Sequence, residues 1–195
     1  MHIRTEDTPN PQSMKFLPDV PVLGDGQLGM DFPSPGAAKM SPLATALFDV
    51  DGVTSVYLGD RFVTVSKDQS VGWEHIRPAV LGTLADFLAA GIPVIDNGAS
   101  ATAEGTTSAE DYKGEDREVV EQIIELLDTR VRPAVAQDGG DITFHRYEAG
   151  DGTVFLSMKG ACAGCPSSTM TLKSGIENLL KHYVPEVTSV EAVGM

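Results

Sequence analysis

Residues 153–183, TVFLSMKGACAGCPSSTMTLKSGIENLLKHY, carry the pattern that decides how the second half of this chain folds. Alternating apolar residues predict a strand over 153–158. A loop with two cysteines follows, and apolar residues at helical spacing predict a helix over about 167–182. The strand positions are Val154, Leu156 and Met158, and the helix positions are Leu172, Ile176, Leu179 and Tyr183. We therefore expect both cysteines between the end of a strand and the start of a helix.

The flanking segments complete one α+β unit. Apolar residues at helical spacing, with acidic residues in the first turn, predict a helix over about 115–131, and Pro133 is expected to end or kink it. The sequence DGGD at 138–141 predicts a tight turn into a strand over 142–147. Pro185 is expected to stop the last helix before a closing strand over 187–193. The predicted order is α-β-β-α-β.

The first half predicts a second, separate α+β layer. Ser41 followed by Pro42 is typical of a helix start, with serine as the cap. A longer helix is expected over about 71–90, with a kink or a late start at Pro78 and Gly91 as its C-terminal cap. Strands are expected over 13–17, 53–58 and 62–66, the last two forming a hairpin, and the stretch 18–35 is expected to be mostly loop.

A small, polar segment over 96–108 has no apolar period and is rich in Ala, Gly, Ser and Thr. Such a segment cannot bury enough surface to offset its ordering entropy, which predicts a flexible linker. The predicted organisation is a domain over 1–94, a linker over 95–112 and a second domain over 113–195. The predicted fold class is α+β, with two small α+β domains.

Charge and hydropathy exclude two classes of partner. The formal net charge is -14, with 28 acidic and 14 basic residues, which repels phosphate backbones and argues against nucleic-acid binding. No apolar run approaches the roughly 20 residues that cross a bilayer, so no membrane partner is expected. The acidic start lacks signal-peptide and transit-peptide features. The expected location is the cytoplasm, or the mitochondrial matrix if the chain is a processed form.

The two cysteines, Cys162 and Cys165, are the candidate site residues. Cys165 precedes Pro166, so it is expected near the N-terminal cap of the last helix, where free backbone N–H groups and the helix dipole favour thiolate. Gly160 and Gly164 allow the backbone to bend around an inorganic group. Thiolate is the form that both metal binding and nucleophilic attack require.

Three interpretations of this pair compete. The cysteines could be two small core residues, although flanking glycines at a helix start are poor core material. They could be a thiol–disulfide oxidoreductase site, which normally follows an early strand of a βαβ unit, whereas here the sequence shows no parallel crossover signature. They could bind zinc or an iron–sulfur cluster, which usually requires four thiolates. One chain supplies two, so a second copy or external thiols would complete that site.

Other polar residues support no constellation. Asp138 and Asp141 are expected to form a turn rather than a working carboxylate pair. His145 is expected on a strand as an ordinary surface residue, and the remaining histidines are scattered. No nucleotide-binding or hydrolase motif is present in the sequence, so no enzymatic activity is expected.

Segments in both halves resemble the Nfu family. DGGD at 138–141, GACAGCPSS at 160–168 and TLK at 171–173 resemble the NifU-like C-terminal domain, and Glu177, Pro185 and Val187 continue the likeness. TPNP at 8–11, MKF at 14–16, SPL at 41–43 and GV at 52–53 resemble the Nfu N-terminal domain. Only the predicted linker lies outside this resemblance.

The resemblance implies a carrier or scaffold for iron–sulfur clusters. It implies a [4Fe–4S] cluster, with [2Fe–2S] less expected, bridging two subunits of a homodimer and delivered to apo-proteins. The ligands carry over to Cys162 and Cys165 alone. Implied partners are apo iron–sulfur recipient proteins and upstream cluster-assembly proteins.

Overall fold

The computed structural model describes residues 2–24, 29–96, 107–163 and 166–193. The chain divides into two compact units, Met1–Ala101 and Thr102–Met195. Each unit has its own hydrophobic core and combines helices with one sheet. This confirms the predicted α+β class.

The first unit is built on a five-stranded antiparallel sheet. Its strands are β1 (Ile3–Asp7), β2 (Ser13–Pro18), β3 (Met30–Phe32), β4 (Val53–Leu58) and β5 (Val63–Lys67). They lie in the order β1-β2-β5-β4-β3. The predicted strand over 13–17 and the predicted hairpin are confirmed. Two edge strands were missed: β1 is mostly polar, and β3 has only three residues, too few for a recognisable alternation.

Two helices share the core of the first unit with the sheet. Helix α1 (Pro42–Phe48) begins as predicted, with the Ser41 hydroxyl accepting a hydrogen bond from the Ala44 N–H at 3.0 Å. Helix α2 (Trp73–Ala90) contains Pro78 and ends at Gly91, which has the left-handed conformation expected of a cap. The late start expected at Pro78 was wrong, because the helix begins at Trp73 and includes Pro78.

The first long helical segment of the second unit changes from α-helix to a π-helical turn and back to α-helix. Helix α3 (Glu115–Leu126) passes into a π-helical turn, Leu127–Val131, and then into α4 (Arg132–Gln137). The sequence predicts an end or a kink at Pro133; the structure has a π turn just before it, and the chain stays helical through Pro133. Proline lacks an N–H and its ring crowds the preceding turn, and a wider π turn accommodates both features without ending the helix.

The sheet of the second unit contains three strands. Strands β6 (Gly140–Glu148) and β7 (Thr153–Gly160) contain the two predicted strands, and they pair antiparallel. Helix α5 (Pro166–Tyr183) follows, and β8 (Ser189–Val193) then pairs parallel to β7. The expectation of no parallel crossover was wrong: β7, α5 and β8 form a βαβ crossover. Parallel pairing depends on where the chain returns, which a short terminal strand does not encode locally.

Part of the predicted linker packs on the second unit. Ala109 and Tyr112 contact its core. The Tyr112 hydroxyl accepts from the Tyr147 N–H at 2.7 Å and donates to the Tyr147 carbonyl at 3.1 Å. Thr107 donates its N–H to the His145 carbonyl at 2.9 Å. The edge of β6 is therefore covered by residues 107–112.

These contacts predict how the second unit behaves alone. A fragment over 107–195 should fold without the first unit, because its core is separate. A fragment over 113–195 should be less stable by about 2–3 kcal/mol, since it lacks Tyr112 and the two hydrogen bonds to Tyr147. Urea unfolding followed by circular dichroism measures the difference. Equal midpoints for the two fragments would show that residues 107–112 contribute nothing, and an unfolded 107–195 fragment would show that the units are interdependent.

Candidate metal centre

Cys162 lies two residues after the end of β7. Gly160 closes the strand with φ +61, a conformation that favours glycine, and turns the chain toward Cys162. The side chain is 6% exposed and belongs to the core of the second unit. Gly164 and Cys165 lie outside the described residues, so the predicted cap position of Cys165 stays a prediction.

Gly139, just before β6, and Gly140, its first residue, contact the residues around Cys162. A Cβ placed on Gly140 would lie 2.4 Å from Cys162 Sγ, 3.0 Å from the Lys159 carbonyl oxygen and 3.1 Å from the Cys162 nitrogen. The Ala161 N–H also donates to the Gly139 carbonyl at 3.2 Å. These glycines therefore let the cysteine loop lie directly against the backbone of β6.

Helix α5 holds the other side of the loop. The Thr169 hydroxyl donates to the Cys162 carbonyl at 3.2 Å, which ties the loop to the first turn of the helix. Met170, the next residue, is 71% exposed. The candidate site thus borders the surface at the N-terminal end of α5.

The charge environment of Cys162 favours the thiol. Burial, followed by the nearby carboxylates of Asp138 and Asp141, raises the pKa of Cys162 to about 12. The expectation of a thiolate-favouring helix start at Cys165 did not include this opposite effect at Cys162. A metal ion bound at the sulfur would supply the positive charge that stabilises the thiolate.

Asp141 is an ion-paired core residue as well as part of the predicted turn. Its carboxylate accepts two hydrogen bonds from Arg132, Nε to Oδ1 at 2.8 Å and Nη2 to Oδ2 at 3.1 Å. The hydrogen bond to Asp141 is the main reason that the pKa of Arg132 lies above its usual value. The predicted turn is shorter than expected: it covers Asp138 and Gly139, the latter at φ +78, and β6 begins at Gly140. The pair with Arg132 was missed because no local pattern marks it.

The histidines form no site in the part of the chain that the structure describes. There, no group of three or more His, Cys, Asp or Glu side chains could hold a metal ion. His145 is partly exposed on β6 and its carbonyl accepts from Thr107. None of the described helices combines the length and the apolar character needed to cross a bilayer.

Two family models match this arrangement of units. The first, described as "Scaffold protein Nfu/NifU N terminal", matches residues 3–91, and the second, "NifU-like domain", matches residues 123–191. The chain belongs to the Nfu family. Both matches lie within the compact units, and the second contains the cysteine loop between β7 and α5.

Similar curated proteins extend the match to nearly the whole chain. The human protein named "NFU1 iron-sulfur cluster scaffold homolog, mitochondrial" is 48% identical over 194 residues, covering 99% of this chain and 72% of that protein. A protein of the same name from Drosophila persimilis is 50% identical, and the match covers 99% of this chain and 65% of that protein. The chain therefore spans about two thirds of the length of these relatives.

A solved structure is similar to about half of this chain. The solution NMR structure of a NifU-like protein from Saccharomyces cerevisiae is 33% identical, with 49% of this chain and 85% of that chain covered and a TM-score of 0.46.

Proposed function

We propose that this chain is a carrier or scaffold for iron–sulfur clusters, with Cys162 and Cys165 as its ligands. The observation that carries the proposal is the position of Cys162, held between Gly140 of β6 and the first turn of α5 within the NifU-like unit. The relatives named as iron–sulfur cluster scaffolds support it. The cluster is the cargo of this protein, and no chemical reaction of its own is proposed.

The number of cysteines favours a site shared between two copies. Clusters are usually held by four thiolates, and this chain contains two cysteines. Two copies related by a two-fold axis supply four thiolates at one point. We propose a [4Fe–4S] cluster in that position, in preference to [2Fe–2S]. Met170, exposed beside the loop, is an apolar side chain suited to burial against the second copy.

Release to other proteins is the expected use of a shared site. A cluster at a two-fold axis lies between chains rather than inside one core, so separation of the copies frees it. Apo iron–sulfur proteins are the proposed recipients and upstream assembly proteins the proposed source. The net charge of -14 suits basic partner surfaces and disfavours nucleic acid.

A second candidate function is a thiol–disulfide oxidoreductase. The βαβ crossover favours it, because a CxxC pair between a strand and a helix start is the arrangement expected of that class. Against it, Cys162 is buried with a raised pKa, whereas reactive cysteines of that class have lowered ones. The cluster function is therefore preferred.

The proposed cellular locations of this chain are the cytoplasm and the mitochondrial matrix. The curated relatives carry mitochondrial names, which favours the mitochondrial matrix for those proteins. For this chain, both the matrix and the cytoplasm stay predictions.

Transfer to a recipient tests the carrier function. Cluster-loaded full-length chain is mixed anaerobically with an apo [4Fe–4S] enzyme, in the presence of a chelator that captures free iron. We expect the enzyme to gain activity while the chain loses its visible absorption. Activation no faster than by equal amounts of iron and sulfide would contradict the proposal.

A further inference from the structure

Arg132 and Asp141 form an ion pair in which the carboxylate is buried and the guanidinium is partly exposed. The exposed fraction is 24% for the Arg132 side chain and 7% for that of Asp141. The two hydrogen bonds between them are parallel and bidentate, which fixes the relative orientation of both groups. A third hydrogen bond joins Arg132 Nη1 to Asp128 Oδ1 at 3.0 Å, one helical turn earlier. The guanidinium is thus held on two sides.

The ion pair joins the two ends of the segment 132–141, and the glycines near the end of this segment contact the cysteine loop. Arg132 is the first residue of α4, and Asp141 is the second residue of β6. Gly139 and Gly140 lie between them and contact the cysteine loop, Gly139 through the Ala161 N–H and Gly140 against Cys162. Any rotation of α4 away from β6 would move these glycines.

The π turn brings the Arg132 guanidinium to the Asp141 carboxylate. Residues Leu127–Val131 form a wider turn than an α-helix, so α4 starts at a different angular position from the one α3 would give it. Arg132 follows this turn directly. Such turns are frequent at functional sites.

Stability alone is a weak explanation for this ion pair. The cost of removing the Asp141 carboxylate, and part of the Arg132 guanidinium, from water offsets much of their attraction. Beyond stability, the ion pair fixes the position of α4 relative to β6. The glycines between them, Gly139 and Gly140, are thereby fixed as well.

We propose that the Arg132–Asp141 pair is a positioning device that holds Gly139 and Gly140 against the Cys162 loop and so determines how firmly a bound cluster is retained. The inference rests on the proposed function and deepens it. Neither Arg132 nor Asp141 is proposed to touch the cluster.

The test compares cluster release from full-length variants. Arg132→Met removes the guanidinium group and its charge, and Arg132→Lys keeps the charge without the bidentate geometry. Arg117→Met breaks an exposed pair with Glu121 on the same unit and serves as the matched control. Each protein is reconstituted anaerobically, its visible circular dichroism recorded, and cluster loss to a chelator timed. We expect Arg132→Met to lose its cluster about 10–100-fold faster than wild type with a changed spectrum, Arg132→Lys to fall between, and Arg117→Met to match wild type.

A second control separates positioning from stability. Val190→Ala removes buried apolar volume on β8 and lowers the stability of the same unit away from the cysteine loop. Release from Arg132→Met no faster than from Val190→Ala, with an unchanged spectrum, would overturn the positioning role. If Arg132→Met does not fold, the rate and spectrum of Arg132→Lys decide in the same way. Wild-type protein that takes up no cluster would instead refute the proposed function itself.

Discussion

Cys162→Ala and Cys165→Ala should each abolish stable cluster binding while leaving the chain folded. A symmetric site that loses one ligand per copy keeps two of four thiolates, too few to hold a cluster. Cys165→Ser should fail as well, although serine is a good helix cap, because a hydroxyl is a poor substitute for thiolate at iron. Anaerobic reconstitution with iron and sulfide analysis measures the yield.

The fold of these variants separates ligand loss from misfolding. Cys162→Ala removes a buried sulfur from the core, so we expect a loss of about 1 kcal/mol in the free energy of unfolding. Ser174→Ala, on an exposed position of α5, is the control and should keep full yield. A normal cluster yield in either cysteine variant would favour the thiol–disulfide function instead.

Gly140→Ala should damage cluster binding although Gly140 is not a proposed ligand. The new Cβ would meet Cys162 Sγ at 2.4 Å, and it would also meet two backbone atoms of the loop at 3.0 Å and 3.1 Å. A side chain can rotate away from such a contact, but the backbone of residues 159–162 must shift as a whole. We expect a loss of about 1–3 kcal/mol in stability from this overpacking. We also expect cluster yield to fall sharply, because the loop that presents Cys162 is displaced.

The same substitution at the other end of the hairpin is the control. Gly150 lies in the turn between β6 and β7, and a Cβ there would meet nothing within 4 Å. Gly150→Ala should therefore retain stability and cluster yield. Urea unfolding and iron content, measured on both variants, make the comparison. Equal behaviour of the two would show that the contact between Gly140 and Cys162 is unimportant.

Features encoded by neighbouring residues could be predicted from the sequence. The start of α1 at Ser41 and Pro42 and the end of α2 at Gly91 were predicted because capping depends on residues within one turn. The strands β6 and β7 were predicted for the same reason, since turn residues and alternation are local signals.

Features that depend on distant partners were missed. Strand β1 is recognisable only through its pairing with β2, and β8 gives no sign that it returns parallel to β7. The pair between Arg132 and Asp141 depends on the π turn that orients α4. The contact between Gly140 and Cys162 depends on the register of β6 with β7, in which Gly140 lies opposite Gly160. The cysteine motif could be found in the sequence, but the packing of Gly140 against Cys162 could not.

The central claim, one cluster shared by two copies, is tested most directly by mass and composition together. Full-length chain is reconstituted anaerobically without added thiols, and its mass in solution is measured alongside its iron and sulfide content. A shared [4Fe–4S] cluster predicts a dimer with about two iron and two sulfide ions per chain, which dissociates when a chelator removes the iron. A monomer that holds a complete cluster would contradict the account.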